Sequence, residues 1–320
     1  MFSSYFVTKT PFFNYTFWQW LCTNFGILLL AQLSQKLDSF EQKTIERFMV
    51  VSCVMQIAWI GLDYIGFDVY GAFLQIFDSS YKRVGDSGAK WSLFNKKAIS
   101  GSLGHPTYSG AYIAVLMPLM LRNKNYYLII LASAAILATG SSMALMTGLA
   151  GIGFVGASHL PRLPRKILLT SGFFATVLLG AYGHFYGGFF SDSARIENWL
   201  HIFNNYDGAI SLFGNGAGFL EGIAQPISKG REVFFPAHNE LITLFLQYGA
   251  FGLAVFAYFL KDKMGKFING DVYLVAMFLA FAFNALGSFP LHISALALIF
   301  IINLSLILKG DNYGGKCIKN

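Results

Sequence analysis

The stretch "FFPAHNELITLFLQYGAFGL", Phe234 to Leu253, decides how this chain folds. A Pro-Ala-His-Asn-Glu cluster opens an apolar run that continues without a charge from Leu241 to Leu260, close to the roughly 20 apolar residues that cross a hydrocarbon core as helix. The whole sequence repeats that theme, with 55% hydrophobic, 17% aromatic and only 12% charged residues, against roughly 25% charged in an average soluble domain. The composition points to a polytopic membrane protein, and no soluble domain is left over. The expected fold is an all-α transmembrane bundle forming one integral membrane domain over residues 1–320.

Nine spans are read from the hydropathy: 14–34, 48–67, 106–121, 126–140, 142–158, 167–188, 239–260, 272–288 and 293–309. Basic residues gather in alternate connections: Lys36, Lys43 and Arg47; Arg122 and Lys124; Arg162, Arg165 and Lys166; Lys261, Lys263 and Lys266; then Lys309, Lys316 and Lys319. With nine spans all five groups fall on one side, which the positive-inside rule makes cytoplasmic. The net charge of +7 is thereby read as orientation rather than nucleic-acid binding. Two long loops, 68–105 and 189–238, are left outside. The opening "MFSSYFVTKTPFF" lacks the regions of a cleaved signal peptide, so insertion is expected from the spans themselves.

The first outer loop breaks the charge rule, with Lys82, Arg83, Lys90, Lys96 and Lys97 against Asp68, Asp78 and Asp86. It reads either as a solvated loop or as a cationic wall for an anionic substrate. Gln56 and Asp63, inside the second span, are costly against lipid and are expected to face protein or water. Cys22, Cys53 and Cys317 are widely spaced and at least two lie in apolar runs, so neither a disulfide framework nor a thiolate metal site is suggested. No histidine spacing suggests a metal, and no cofactor motif is present.

Chemistry-bearing residues concentrate between Ser191 and Glu240. Ile196, Leu200 and Phe203 place an apolar stripe on a short amphipathic helix at the membrane surface. Arg195 and Trp199 stand one turn apart on its neighbouring face; from spacing alone Arg195 also reads as a snorkelling interfacial arginine. "GNGAGF", Gly214 to Phe219, is a tight glycine turn without the strand and helix of a dinucleotide fingerprint. His238 precedes a helix start, where the positive end of the dipole disfavours the imidazolium and leaves a ring able to accept a proton. Glu240 belongs to the first turn, where an anion is favoured whatever the function.

Four pieces in order, "GSLGHPTYSGAYIAVLMPLML" (101–121), "ILATGSSMALMTGLAGI" (136–152), "SARIENW…LFGNGAGF" (193–219) and "AHNELITLFLQYGAFGLAVF" (237–256), resemble the O-antigen ligase and O-antigen polymerase superfamily. The resemblance covers residues 100 to 305 and implies a bacterial membrane glycosyltransferase without metal or cofactor. Its implied donor is an undecaprenyl-diphosphate-linked glycan, its acceptor a glycan or lipid A-core, and its place the outer, periplasm-facing side of the cytoplasmic membrane. The resemblance carries essential roles onto His238 and Arg195, and supporting roles onto Trp199, Gly214, Gly216 and Asn239. Where the family often has an arginine, this chain has Ser142 in "TGSSMA". Arg231 and Lys229, with Lys96 and Lys97, are the candidate replacements at the diphosphate. Residues 1–100 fall outside the resemblance. A carrier or flippase of lipid-linked glycans, or an assembly protein without substrate, is the alternative reading of the same composition.

Overall fold

The computed structural model describes residues 36–67, 99, 101–103, 105–160, 210–214, 224–227, 231–234, 239–269, 271–287 and 294–309. The expected spans 14–34 and 167–188 and the expected amphipathic helix around Ile196–Phe203 lie outside them. The described residues are helical apart from one short hairpin. Seven helices are α1 Ser39–Tyr64, α2 Pro106–Arg122, α3 Tyr126–Thr139, α4 Ser142–Ser158, α6 Glu240–Asn269, α7 Val272–Ala285 and α8 Ser294–Lys309. A one-turn helix Gly101–Leu103, a single turn α5 Ile210–Phe213, and strands β1 Ala224–Ile227 and β2 Arg231–Phe234 complete the order.

Local chemistry explains where the helices differ from the hydropathy. α1 begins at Ser39 rather than 48 because Asp38 and Glu41 form a reciprocal capping box, each backbone N–H donating to the other's carboxylate at 2.7 Å. α6 continues to Asn269, so "KDKMGK", expected in a loop, is helical. Hydropathy marks where a helix is apolar, and polar residues extend it beyond that zone. α7 ends at Ala285, followed by the turn at Leu286 and Gly287.

α1 is the one described helix long and apolar enough to cross a membrane, and five shorter apolar helical segments accompany it. Beyond the exposed Glu41, Lys43 and Arg47 of its first turns its exposed face is apolar, and polar side chains lie on its buried face. Gln42, Glu46 and Gln56 are buried with Met49, Cys53 and Ile60, whereas Phe48, Val51, Met55 and Leu62 are exposed.

α2 is the centre of the bundle, packing against α1, α3, α4 and α7 and burying nearly every residue from Ser109 to Met120. α4 runs beside it in the same direction. A Cβ on Gly110 would stand 2.7 Å from the Cβ of Ala144, one on Gly148 3.0 Å from Met117 Sδ, and one on Gly151 3.0 Å from Pro118 Cγ and 3.2 Å from Ala280 Cβ. Small residues thus let three helices approach closely, which is how helices associate where lipid is as apolar as leucine.

Polar contacts fix the two ends of the bundle. At one end Arg122 of α2 reaches Glu46 of α1 at 2.8 Å and Asp271, the cap of α7, at 3.4 Å. Near that end Asn303 of α8 donates to the carbonyl of Leu274 at 3.0 Å. At the opposite end Gly101 N donates to Asp63 at 3.3 Å and Ser102 donates to Gln56. Gln56 and Asp63 therefore face protein, holding the one-turn helix Gly101–Leu103 that leads into α2. Cys53 is a buried free thiol.

Candidate functional site

Of the helices that begin at the end of the bundle opposite Arg122, α2, α4 and α6 each carry a side-chain cap. His105 caps α2, its Nδ1 accepting from Thr107 N at 3.3 Å, with Pro106 in the first helical position and the Tyr108 ring 4.5 Å from the imidazole. Ser141 caps α4 by accepting from Ala144 N at 3.2 Å. Asn239 caps α6, its Oδ1 accepting from Ile242 N at 3.1 Å. In each of the three, one of the first-turn amides that make a helix start attractive to an anion is engaged by the chain's own side chain. Ser142, where the family pattern would have an arginine, is the first residue of α4.

Asn239 holds more than its own helix. Its Nδ2 donates to the carbonyl of Leu286 at 2.9 Å, tying the start of α6 to the end of α7, and Thr243 Oγ1 returns a bond to the Asn239 carbonyl at 2.9 Å. Glu240, Thr243 and Gln247 continue as buried polar residues down the first half of α6. Beside them Asn284 of α7 donates to Thr147 of α4 at 3.1 Å in full burial.

The two glycine pieces of the sequence meet on α6. Gly249, with φ 65° and ψ −175°, breaks the helix, and Gly214, with φ 75°, follows α5. A Cβ on Gly249 would collide with the Leu212 carbonyl and stand 2.5 Å from Gly214 N; one on Gly214 would collide with the backbone of Gln247 and Tyr248. Both sites require a left-handed backbone and both are filled by the other's main chain, so only glycine fits. The rings of Phe213 and Phe251 pack beside the contact, 6.0 Å between centroids.

Of the residues singled out in the sequence, Asn239 caps the start of α6 and Gly214 packs against the break in that helix. Arg231 opens β2, its backbone paired with Ile227 across an antiparallel hairpin. That hairpin is a local addition to the helical fold; "AQPISKGREVF", two short runs around a glycine-containing loop, carries the signal for it. His238, Arg195, Trp199, Gly216, Lys229, Lys96 and Lys97 lie outside the described residues. Gly249 is the position that reading the sequence misses, and its signal is an isolated glycine inside a helical pattern.

No protein-family model, curated protein or solved structure matches the chain.

Proposed function

We propose that the chain is a nine-span membrane glycosyltransferase of the O-antigen ligase or polymerase type. It transfers or polymerises a glycan from an undecaprenyl-diphosphate donor at the outer face of the bacterial cytoplasmic membrane. The acceptor hydroxyl oxygen bonds to the anomeric carbon as the bond from that carbon to the diphosphate breaks. His238 takes the hydroxyl proton, and Arg195 meets the negative charge growing on the leaving diphosphate with the two parallel hydrogen bonds of a guanidinium. A single displacement inverts the anomeric centre, and no metal is required.

The observation that carries this reading is the Gly214–Gly249 contact. It brings Leu212–Gly214, the start of "LFGNGAGF", against Gln247–Gly249 of "NELITLFLQYGAFG", although the two are distant in sequence. The apolar exposed face of α1 beyond Arg47, with Gln56 buried, supports the membrane setting. The caps of α2, α4 and α6 each engage one helix-start amide, and the reading assigns the charge on the diphosphate to side chains. Arg195, Arg231 and Lys229, with Lys96 and Lys97 from the first outer loop, are the candidates, and they answer the absence of an arginine at Ser142. Trp199, Gly216 and Asn239 shape the loop around the reacting groups.

The test is to incubate purified protein with an undecaprenyl-diphosphate-linked oligosaccharide, with and without a lipid A-core acceptor, and to resolve the products. Longer or transferred glycan supports the proposal. Movement of intact donor across a vesicle bilayer without new linkages would replace it with the flippase reading.

A further inference from the structure

The break in α6 has a depth as well as a shape. Gly249 is nine residues beyond Glu240, about 14 Å along the axis at 1.5 Å per residue, roughly half of a hydrocarbon core about 30 Å thick. A helix interrupted there leaves main-chain N–H and C=O groups of neighbouring turns without their usual helical partners. In lipid such groups must be met by protein or by water in a cavity. What lies against the break is other main chain: the Leu212 carbonyl and Gly214 N. Leu212 and Phe213 are 53% and 50% exposed and Phe251 58%, so the apolar side chains of this segment turn away from the bundle while its backbone turns towards α6.

We infer that the second outer loop re-enters the membrane, with residues 210–214 lodged at mid-depth in the Gly249 break. Gly214 and Gly249 are then positioning residues that set where the loop bearing Arg195 meets the helix that follows His238. The inference rests on the membrane glycosyltransferase reading for its consequence, and on the backbone contact alone for its geometry. The same contact explains why two conspicuous glycines stand at the ends of separate motifs.

The experiment uses full-length chain in membranes, free of Cys22, Cys53 and Cys317, with Phe213→Cys and Phe251→Cys introduced together. Oxidation should join the pair, read as loss of both thiols to a maleimide-polyethylene glycol gel shift. Phe213→Cys with Tyr258→Cys, two helical turns further along α6, should stay reduced. A nitroxide attached to the Phe213→Cys single variant should be relaxed by oxygen dissolved in the bilayer more than by a water-soluble nickel chelate. No disulfide at 213/251, equal disulfide at 213/258, or a nitroxide more open to the chelate would each overturn the re-entrant segment.

Gly249→Ala should lower the 213/251 disulfide yield about ten-fold, a left-handed backbone being strained for alanine; an unchanged yield overturns the lock. Per inserted molecule, Gly214→Ala should raise the donor KM and lower kcat. Gly151→Ala, which crowds Pro118 and Ala280, should reduce inserted protein but leave KM alone. Equal KM in the two variants would remove the positioning role. Absence of any transfer by the unaltered protein would remove the glycosyltransferase reading, while the disulfide and nitroxide results would still decide the re-entrant segment.

Discussion

Asn239 joins three things through one short side chain: the first turn of α6, the end of α7 and the position next to His238. Asn239→Ala removes the cap bond to Ile242 and the bond to Leu286, and loss of a cap alone costs typically ~1 kcal/mol. Asn239→Asp keeps an acceptor for Ile242 but loses the donor to Leu286, so thermal unfolding in detergent should rank asparagine above aspartate and aspartate above alanine. Aspartate at the asparagine level would mean that the Leu286 bond contributes nothing. His238 and Arg195 separate differently, because a base and a charge clamp fail in different ways. His238→Ala should leave donor binding near normal and reduce turnover roughly 10²–10⁴-fold. Arg195→Lys keeps charge but loses the planar fork, and should already impair turnover. Since both act in one step, the double variant should fall short of the product of the single effects. Turnover of folded, inserted His238→Ala at the unaltered rate would return this histidine to an interfacial residue.

At the scale of elements, α1, α2 and α7 are fastened by Arg122 between Glu46 and Asp271, with side-chain exposures of 20%, 11% and 10%. Removing the cation leaves two carboxylates of like sign in a largely buried setting, so Arg122→Met should cost about 3–5 kcal/mol. Glu46→Gln with Asp271→Asn in the same chain should recover most of that loss. A single variant that unfolds at the unaltered temperature would show the triad to be solvated surface charge. The helices joined here are legible as apolar runs, and the bounds of α4 follow from the sequence because a glycine turn and a serine cap bracket its start. The early start of α1 escapes a hydropathy reading, although Asp38 and Glu41 at capping-box spacing announce it, since a charged run resembles a loop. The long reach of α6 is hidden for the same reason in "KDKMGK". The Gly214–Gly249 contact depends on which distant segments meet, and local periodicity does not encode that. Of the candidate site, Gly214 and Asn239 are legible as motif positions, but their work as lock and cap emerges only with the neighbours in place.

The whole molecule is constrained by which helix ends meet. α1 ends and α2 begins at the same end of the bundle, while most of the segment between them, expected as the outer loop 68–105, lies outside the described residues. α4 lies parallel to α2 and therefore ends near Arg122, whereas Asn239 starts α6 beside Leu286 at the other end. Leu160 and Asn239 therefore stand at opposite ends of the bundle, and the span expected between them at 167–188 lies outside the described residues. The charge rule makes the Arg122 end, where the basic connections gather, the proposed cytoplasmic end. Ser191→Cys and Lys263→Cys, introduced singly in a chain without the three native thiols, should then react with an impermeant maleimide from opposite sides of the membrane. In intact cells the Ser191→Cys variant should label, and the Lys263→Cys variant should label only after permeabilisation. Labelling of both from outside would break the nine-span path and place His238 away from a donor presented at the outer face. Labelling in the reverse order would keep the crossings but invert the protein, and the charge bias of its loops would then have another cause.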